Sequence, residues 1–172
     1  MISTLPDWIE GIEWRELPPR EGRRRWRFQL LRDLMFKVDI PLRRTITLHD
    51  EKGVERARWD GPLFTIRALY AWNGNSPKRH VPVLGWIGTP DCRGDVTGIG
   101  GNILASCIHD CMRQFSSTLH FPLSVEQVDT CFYDVNKLSG FPLALPYYSA
   151  VRAAASVWPR GRGGEYSKLH EP

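Results

Sequence analysis

Alternation of apolar and polar residues sets in at Arg24 and continues for more than twenty residues. "RWRFQL", "MFKVDI" and "TITLHD" each repeat with period two, the pattern of a strand with one buried face. "HDEKGVERARWDG" then supplies a turn at Lys52 and Gly53 and a return strand ending at Asp60 and Gly61. "LFTIRALYAW" is richer in apolar residues and reads as one further, more central strand. Residues 1–20 are short apolar pieces broken by "LPPRE", which predicts an irregular arm. The N-terminal half is therefore expected to form a small, mostly antiparallel sheet.

Residues 73–102 carry too many Gly and Pro for regular structure. Their apolar members Val81, Val83, Leu84, Trp86 and Ile87 predict a packed loop, and loops this long are often functional. Beyond them the period changes to that of helices. Leu104, Ile108, Cys111 and Phe115 mark the buried stripe of a first helix. "SVEQ" is a capping box, Ser124 as N-cap and Gln127 at the third position, and opens a second helix. That helix runs through Val128, Phe132, Val135 and Leu138 until Gly140 stops it. Pro146 is placed as the first residue of a third helix with Tyr147, Val151, Ala154 and Trp158 on its buried face. Residues 159–172 have little to bury and are expected to be a mobile tail. The expected fold is α+β: one domain over residues 1–158, its sheet packed against about three C-terminal helices.

A chain of 172 residues can bury one substantial core. No stretch of eighteen apolar residues occurs, so no transmembrane segment is expected. "MISTLPDWIEGIEW" places acids where a secretory leader needs a basic start, which points to a cytoplasm as the place of synthesis. Cys92, Cys107, Cys111 and Cys131 lack disulfide spacing and read as small core residues. Cys107 and Cys111 share a helical face near His109, but His109 points to another side, so a zinc site does not assemble easily. The net charge of +4 owes much to Arg20, Arg23, Arg24, Arg25 and Arg27 around Trp26. Such a cluster suits either a weak nucleic-acid contact or the solvated start of a strand, and no nucleic-acid-binding motif accompanies it.

Three polar residues stand where helices should be apolar. His109 and Asp110 are consecutive and so address different partners: His109 lies with Ala105 and Met112, Asp110 with Ser106 and Arg113. Asp129 lies on the face of Val125 and Phe132, where an ionised carboxylate needs a partner. Two antiparallel helices joined by "TLHFPL" could bring Asp129 against His109. A carboxylate on one imidazole nitrogen fixes the tautomer and leaves the other nitrogen as a base for water or a hydroxyl. Asp110 could hold a hard cation such as calcium, with carbonyls from "TGIGGN" as further ligands. The bland alternatives are a satisfied core histidine, an Asp110–Arg113 surface pair and an Asp129–Arg152 pair.

The sequence also resembles a family of uncharacterised proteins common in tailed-phage and prophage genomes. The residues that carry the resemblance are "WNGNSP" (72–77), "GTPD" (88–91), "ASCIHD" (105–110), "VDTCF" (128–132) and "YYSAVR" (147–152). The resemblance implies a phage origin, and with it synthesis in a host cytoplasm; a place in the virion, with other virion proteins as partners, goes with a non-catalytic reading. A looser similarity links His109, Asp110 and Asp129 to the helical His-Asp pair and later Asp of secretory and parvoviral phospholipases. It implies an ester or phospholipid hydrolase with His109 and Asp129 catalytic and Asp110 on calcium. Arg113 departs from the tyrosine, and Asn73 from the acid, that these patterns usually carry. A non-catalytic virion or tail-associated protein is the other reading.

Overall fold

The computed structural model describes residues 2, 12–18, 27–40, 42, 44–50, 52–74, 78–81, 85–88, 91, 101–116 and 121–157, with the backbone alone at 78–81, 85–88 and 156–157. Within these residues the chain is α+β: antiparallel sheets from the N-terminal half, then three helices. Strands β1 (Trp14–Glu16), β2 (Phe28–Leu30) and β7 (Ala71–Trp72) form one sheet in the order β1-β2-β7. Strands β3 (Leu34–Lys37), β4 (Ile46–His49), β5 (Glu55–Asp60) and β6 (Leu63–Ile66) form a second, ordered β3-β6-β5-β4. A hairpin of β8 (Lys78–Val81) and β9 (Gly85–Gly88) lies within the stretch expected to be loop.

The expected sheet is thus divided, and the division falls inside "LFTIRALYAW". That segment is two strands in different sheets, separated by a turn in which the Tyr70 N–H donates to the Arg67 carbonyl. Leu69 turns the corner with φ of 65°, a conformation uncommon for a residue with a side chain. Apolar alternation alone could not reveal the break, because Ala71 and Trp72 are buried just as Phe64 and Ile66 are. The arm also needs correction: residues 14–16 are strand, and Trp14 pairs with Leu30. Ile2 and Ile12 are buried in the core, and the Ile2 N–H donates to Asp134 Oδ2 at 3.1 Å.

The turn at Lys52 and Gly53 forms as expected, because Asp50 organises it. Asp50 Oδ1 accepts from the N–H groups of Lys52 and Val54, while Oδ2 accepts from Arg56 Nε at 2.8 Å. Burial alone would raise the Asp50 carboxyl; the Val54 and Lys52 donors and Arg56 outweigh it and hold the carboxyl below its ordinary range.

Helix α1 (Ile103–Phe115) buries Leu104, Ile108, Cys111 and Phe115, the stripe read from the sequence. Helix α2 (Val125–Leu138) starts at the Ser124–Gln127 capping box, with both reciprocal bonds made. Val128, Phe132 and Val135 are buried on it, whereas Leu138 is 43% exposed. Gly140, with φ of 71°, ends the turn that follows α2, at the position where glycine is favoured. Helix α3 (Ala144–Val157) begins two residues before Pro146, whose missing N–H is harmless in a first turn. Tyr147 and Val151 are buried on α3; Trp158 and residues 159–172 lie outside the described residues.

α1 packs against α2, and α2 against α3. The first sheet meets α1 through Trp72, whose Nε1–H donates to Ser106 Oγ at 3.0 Å. Apolar side chains of both sheets and all three helices form one continuous core. Among the described residues, no helix is long and apolar enough to cross a membrane.

Candidate active site

His109 sits in the middle of α1, and its ring contacts Phe132 of α2 with centroids 5.1 Å apart. Its Nε2 lies 2.9 Å from Asp129 Oδ1. The two residues expected to meet across α1 and α2 therefore do. Asp129 is wholly buried, and a lone carboxylate there would carry a large desolvation cost. It is instead bonded at both oxygens, because Arg152 Nη1 of α3 donates to Oδ2 at 3.1 Å. The pairing of Asp129 with Arg152 and the pairing with His109 are not alternatives; both are made.

Nδ1, the other ring nitrogen, faces Asp110 Oδ1 at 3.7 Å, too far for a direct hydrogen bond. The His109 side chain keeps 10% of its surface exposed. Burial pulls the imidazole toward its neutral form, but the carboxylates of Asp110 and Asp129 together outweigh burial and raise its pKa above 6.5. When neutral, the ring must carry its proton on Nε2 to satisfy Asp129, which leaves Nδ1 bare on the Asp110 side.

The loop after β7 supplies the other wall. The Asn73 carboxamide nitrogen reaches Asp110 Oδ2 at 2.9 Å and the Gly74 carbonyl at 3.1 Å; an oxygen in that place would face two acceptors. Gly74 has φ of 82°, and a Cβ there would come within 2.4 Å of Asp91 Oδ1 and 2.8 Å of the Phe28 ring. Asp91 is in turn bonded by Arg27 Nη1, while Arg27 also lies over the Phe28 ring. Arg27 is thus committed to a carboxylate and an aromatic face; Arg20, Arg23, Arg24 and Arg25 lie outside the described residues.

Asp110 accepts from the Asn73 carboxamide at Oδ2, and its Oδ1 faces the imidazole; of the "TGIGGN" carbonyls expected as further calcium ligands, residues 97–100 lie outside the described residues. Among the described residues, no three His, Cys, Asp or Glu side chains are placed to hold a metal. Cys107 and Cys111 are buried, and burial first, then nearby acidic groups, push their thiols well above the ordinary range. Cys131 is pushed up to about 12, chiefly by burial. None of the three is a ready thiolate at neutral pH. Cys92 lies outside the described residues.

Sequence reasoning placed His109, Asp110 and Asp129, and left Arg152 as a competitor rather than a member. Asn73, Gly74, Asp91 and Arg27 were not foreseen as neighbours of the site, since no spacing rule ties those loops to α1. The signal for Arg152 was a single cation set directly after buried Val151 in an alanine-rich helix. A pocket of about 320 Å³ bounded by Val38, Asp39, Ile40, Leu42, Gly61 and Pro62 shares no residue with the site. Comparison with protein-family models, with curated proteins and with solved structures finds no match.

Proposed function

We propose that the protein is a small hydrolase of bacteriophage origin that cleaves a carboxylic or phospholipid ester, with His109 as general base. One observation carries the reading: Asp129 occupies Nε2 at 2.9 Å and so leaves Nδ1 of a buried ring, whose side chain keeps 10% of its surface exposed, as the proton acceptor. In the reaction, a water gives a proton to Nδ1 as its oxygen attacks the ester carbonyl. The tetrahedral adduct then expels the alcohol, and the proton on Nδ1 passes to the leaving oxygen. Asp129 holds the ring and stabilises the imidazolium; Asp110, 3.7 Å from Nδ1, stabilises the same positive charge from the other side.

The phage origin rests on the motifs "WNGNSP", "GTPD" and "ASCIHD", whose residues Asn73, Gly74, Asp91 and Asp110 are neighbours in the fold. A second reading has its own observation. Asp129 joins α1, α2 and α3 through His109 and Arg152, which is what a network fixing helix register would do. On that reading the protein is a non-catalytic virion or tail-associated component whose partners are other virion proteins. Purified protein assayed on fluorogenic phospholipid and simple esters, beside His109→Ala, separates the two. Turnover that His109→Ala loses supports the hydrolase; absence of turnover by the parent protein on every ester supports the virion component.

A further inference from the structure

We infer that Arg152 is a positioning residue of the same site: by holding Asp129 Oδ2 it fixes which way the carboxylate faces, so that Oδ1 meets Nε2 and Nδ1 stays bare. The inference takes its catalytic meaning from the hydrolase reading, but the geometry it invokes is independent of any activity.

A carboxylate rotates easily about its last bond, with broad, two-fold preferences. One hydrogen bond to Nε2 therefore does not define its plane. The second bond, from Arg152 Nη1 to Oδ2 at 3.1 Å, removes that freedom. Each of the three side chains comes from a different helix, so the packing of α3 on α2 sets the direction of Oδ1. Its Nη2 also lies 3.8 Å from Glu126 Oε1, one turn before Asp129 on α2, a loose ion pair rather than a hydrogen bond. A planar fork presents its N–H groups in a fixed geometry, which a flexible ammonium does less well.

Arg152 also decides which ring nitrogen keeps the proton. Asp129 has no exposed surface, so its charge must be matched by the groups that touch it. Arg152 supplies that match at Oδ2, which leaves Oδ1 aimed at Nε2–H as its acceptor. Without Arg152 the carboxylate is free to turn, the Nε2–H loses its fixed acceptor, and the ring proton is free to sit on either nitrogen.

The test is ring-nitrogen NMR of the full chain, labelled at histidine, at a pH alkaline enough for a neutral ring. The His109 signals are assigned by their loss in His109→Gln. In the parent protein, one pyridine-type signal from Nδ1 and one pyrrole-type signal from Nε2 are expected, widely separated. Arg152→Met should draw the two signals together or exchange their types, and Arg152→Lys should restore part of the separation. Arg152→Gln keeps an N–H but not the charge or the fork; it carries the test if Arg152→Met does not fold, and a smaller change in the same direction is expected. Signals unchanged from the parent in a folded Arg152→Met or Arg152→Gln protein would overturn the inference, leaving Arg152 a mere tie between helices. These signals are read whether or not an ester is cleaved, so loss of the hydrolase reading and loss of this one are told apart. Where the parent does cleave an ester, Arg152→Met should lower kcat by about 10- to 100-fold with little change in KM, the cost of a misplaced base.

Discussion

Asp129 meets His109 across twenty residues of chain, and their 2.9 Å contact is where α1 is tied to α2. It is a buried contact between a carboxylate and an imidazole, so each partner is expensive to leave alone. Asp129→Ala would leave the Arg152 guanidinium and the imidazole without the acceptor they share. Asp129→Leu should do the same and add bulk. Breaking such a buried pair costs about 3–5 kcal/mol, and urea unfolding of Asp129→Ala should show a loss of that size. A loss under about 1 kcal/mol would mean that the three-helix network contributes little to the fold.

The imidazole makes stability depend on pH in a definite direction. Its folded pKa lies above 6.5, because the two carboxylates outweigh burial. A group raised in the folded state contributes stability that is full below its unfolded pKa and lost as pH rises through the folded value. Unfolding free energy should therefore fall across the window that begins at 6.5 and extends through the raised value. His109→Gln should flatten that slope. The same shift predicts that hydrolysis, which needs the neutral ring, rises with pH above the ordinary histidine range.

Asp50 gives the opposite sign. Its carboxyl is held below 3.8, so the stability it contributes is present above that pH and lost as pH falls through the folded pKa. Asp50→Ala removes the acceptor for two backbone N–H groups and the Arg56 guanidinium at once. The expected cost is about 1–3 kcal/mol by denaturant unfolding, and the variant should be less sensitive to acid than its parent.

Gly74 should not accept a side chain. A Cβ would collide with the Asp91 carboxylate and the Phe28 ring, and the backbone lies in the left-handed region at φ of 82°. Gly74→Ala is expected to cost about 1–3 kcal/mol and, by displacing the loop that carries Asn73, to reduce turnover as well. Leu69 is the reverse case. It adopts φ of 65° with 57% of its surface exposed, so Leu69→Gly should relieve backbone strain while losing little packing. A small rise in melting temperature checks it.

How far the sequence revealed this arrangement depends on the range of each signal. The Ser124–Gln127 capping box is written in four consecutive residues, and α2 starts where it says. The stripe of α1 spans about three turns of one helix, and its members are buried as expected. His109, Asp110 and Asp129 stood out because polar residues interrupted such stripes. The split between β6 and β7 did not, since a left-handed leucine leaves no mark in an apolar run. Nor did the approach of Gly74 to Asp91, which joins two loops through contacts that no local periodicity encodes. Arg152 was visible as an odd cation, but its choice of partner was fixed only by how α3 lies on α2.

The most direct test of the central claim compares ester and phospholipid hydrolysis by the parent protein with that of His109→Ala and Asp129→Asn, each first shown to be folded. If Nδ1 of His109 is the base, the parent turns over at least one ester and His109→Ala loses about 10²- to 10⁴-fold in kcat. Equal rates from the parent and a folded His109→Ala protein would contradict it.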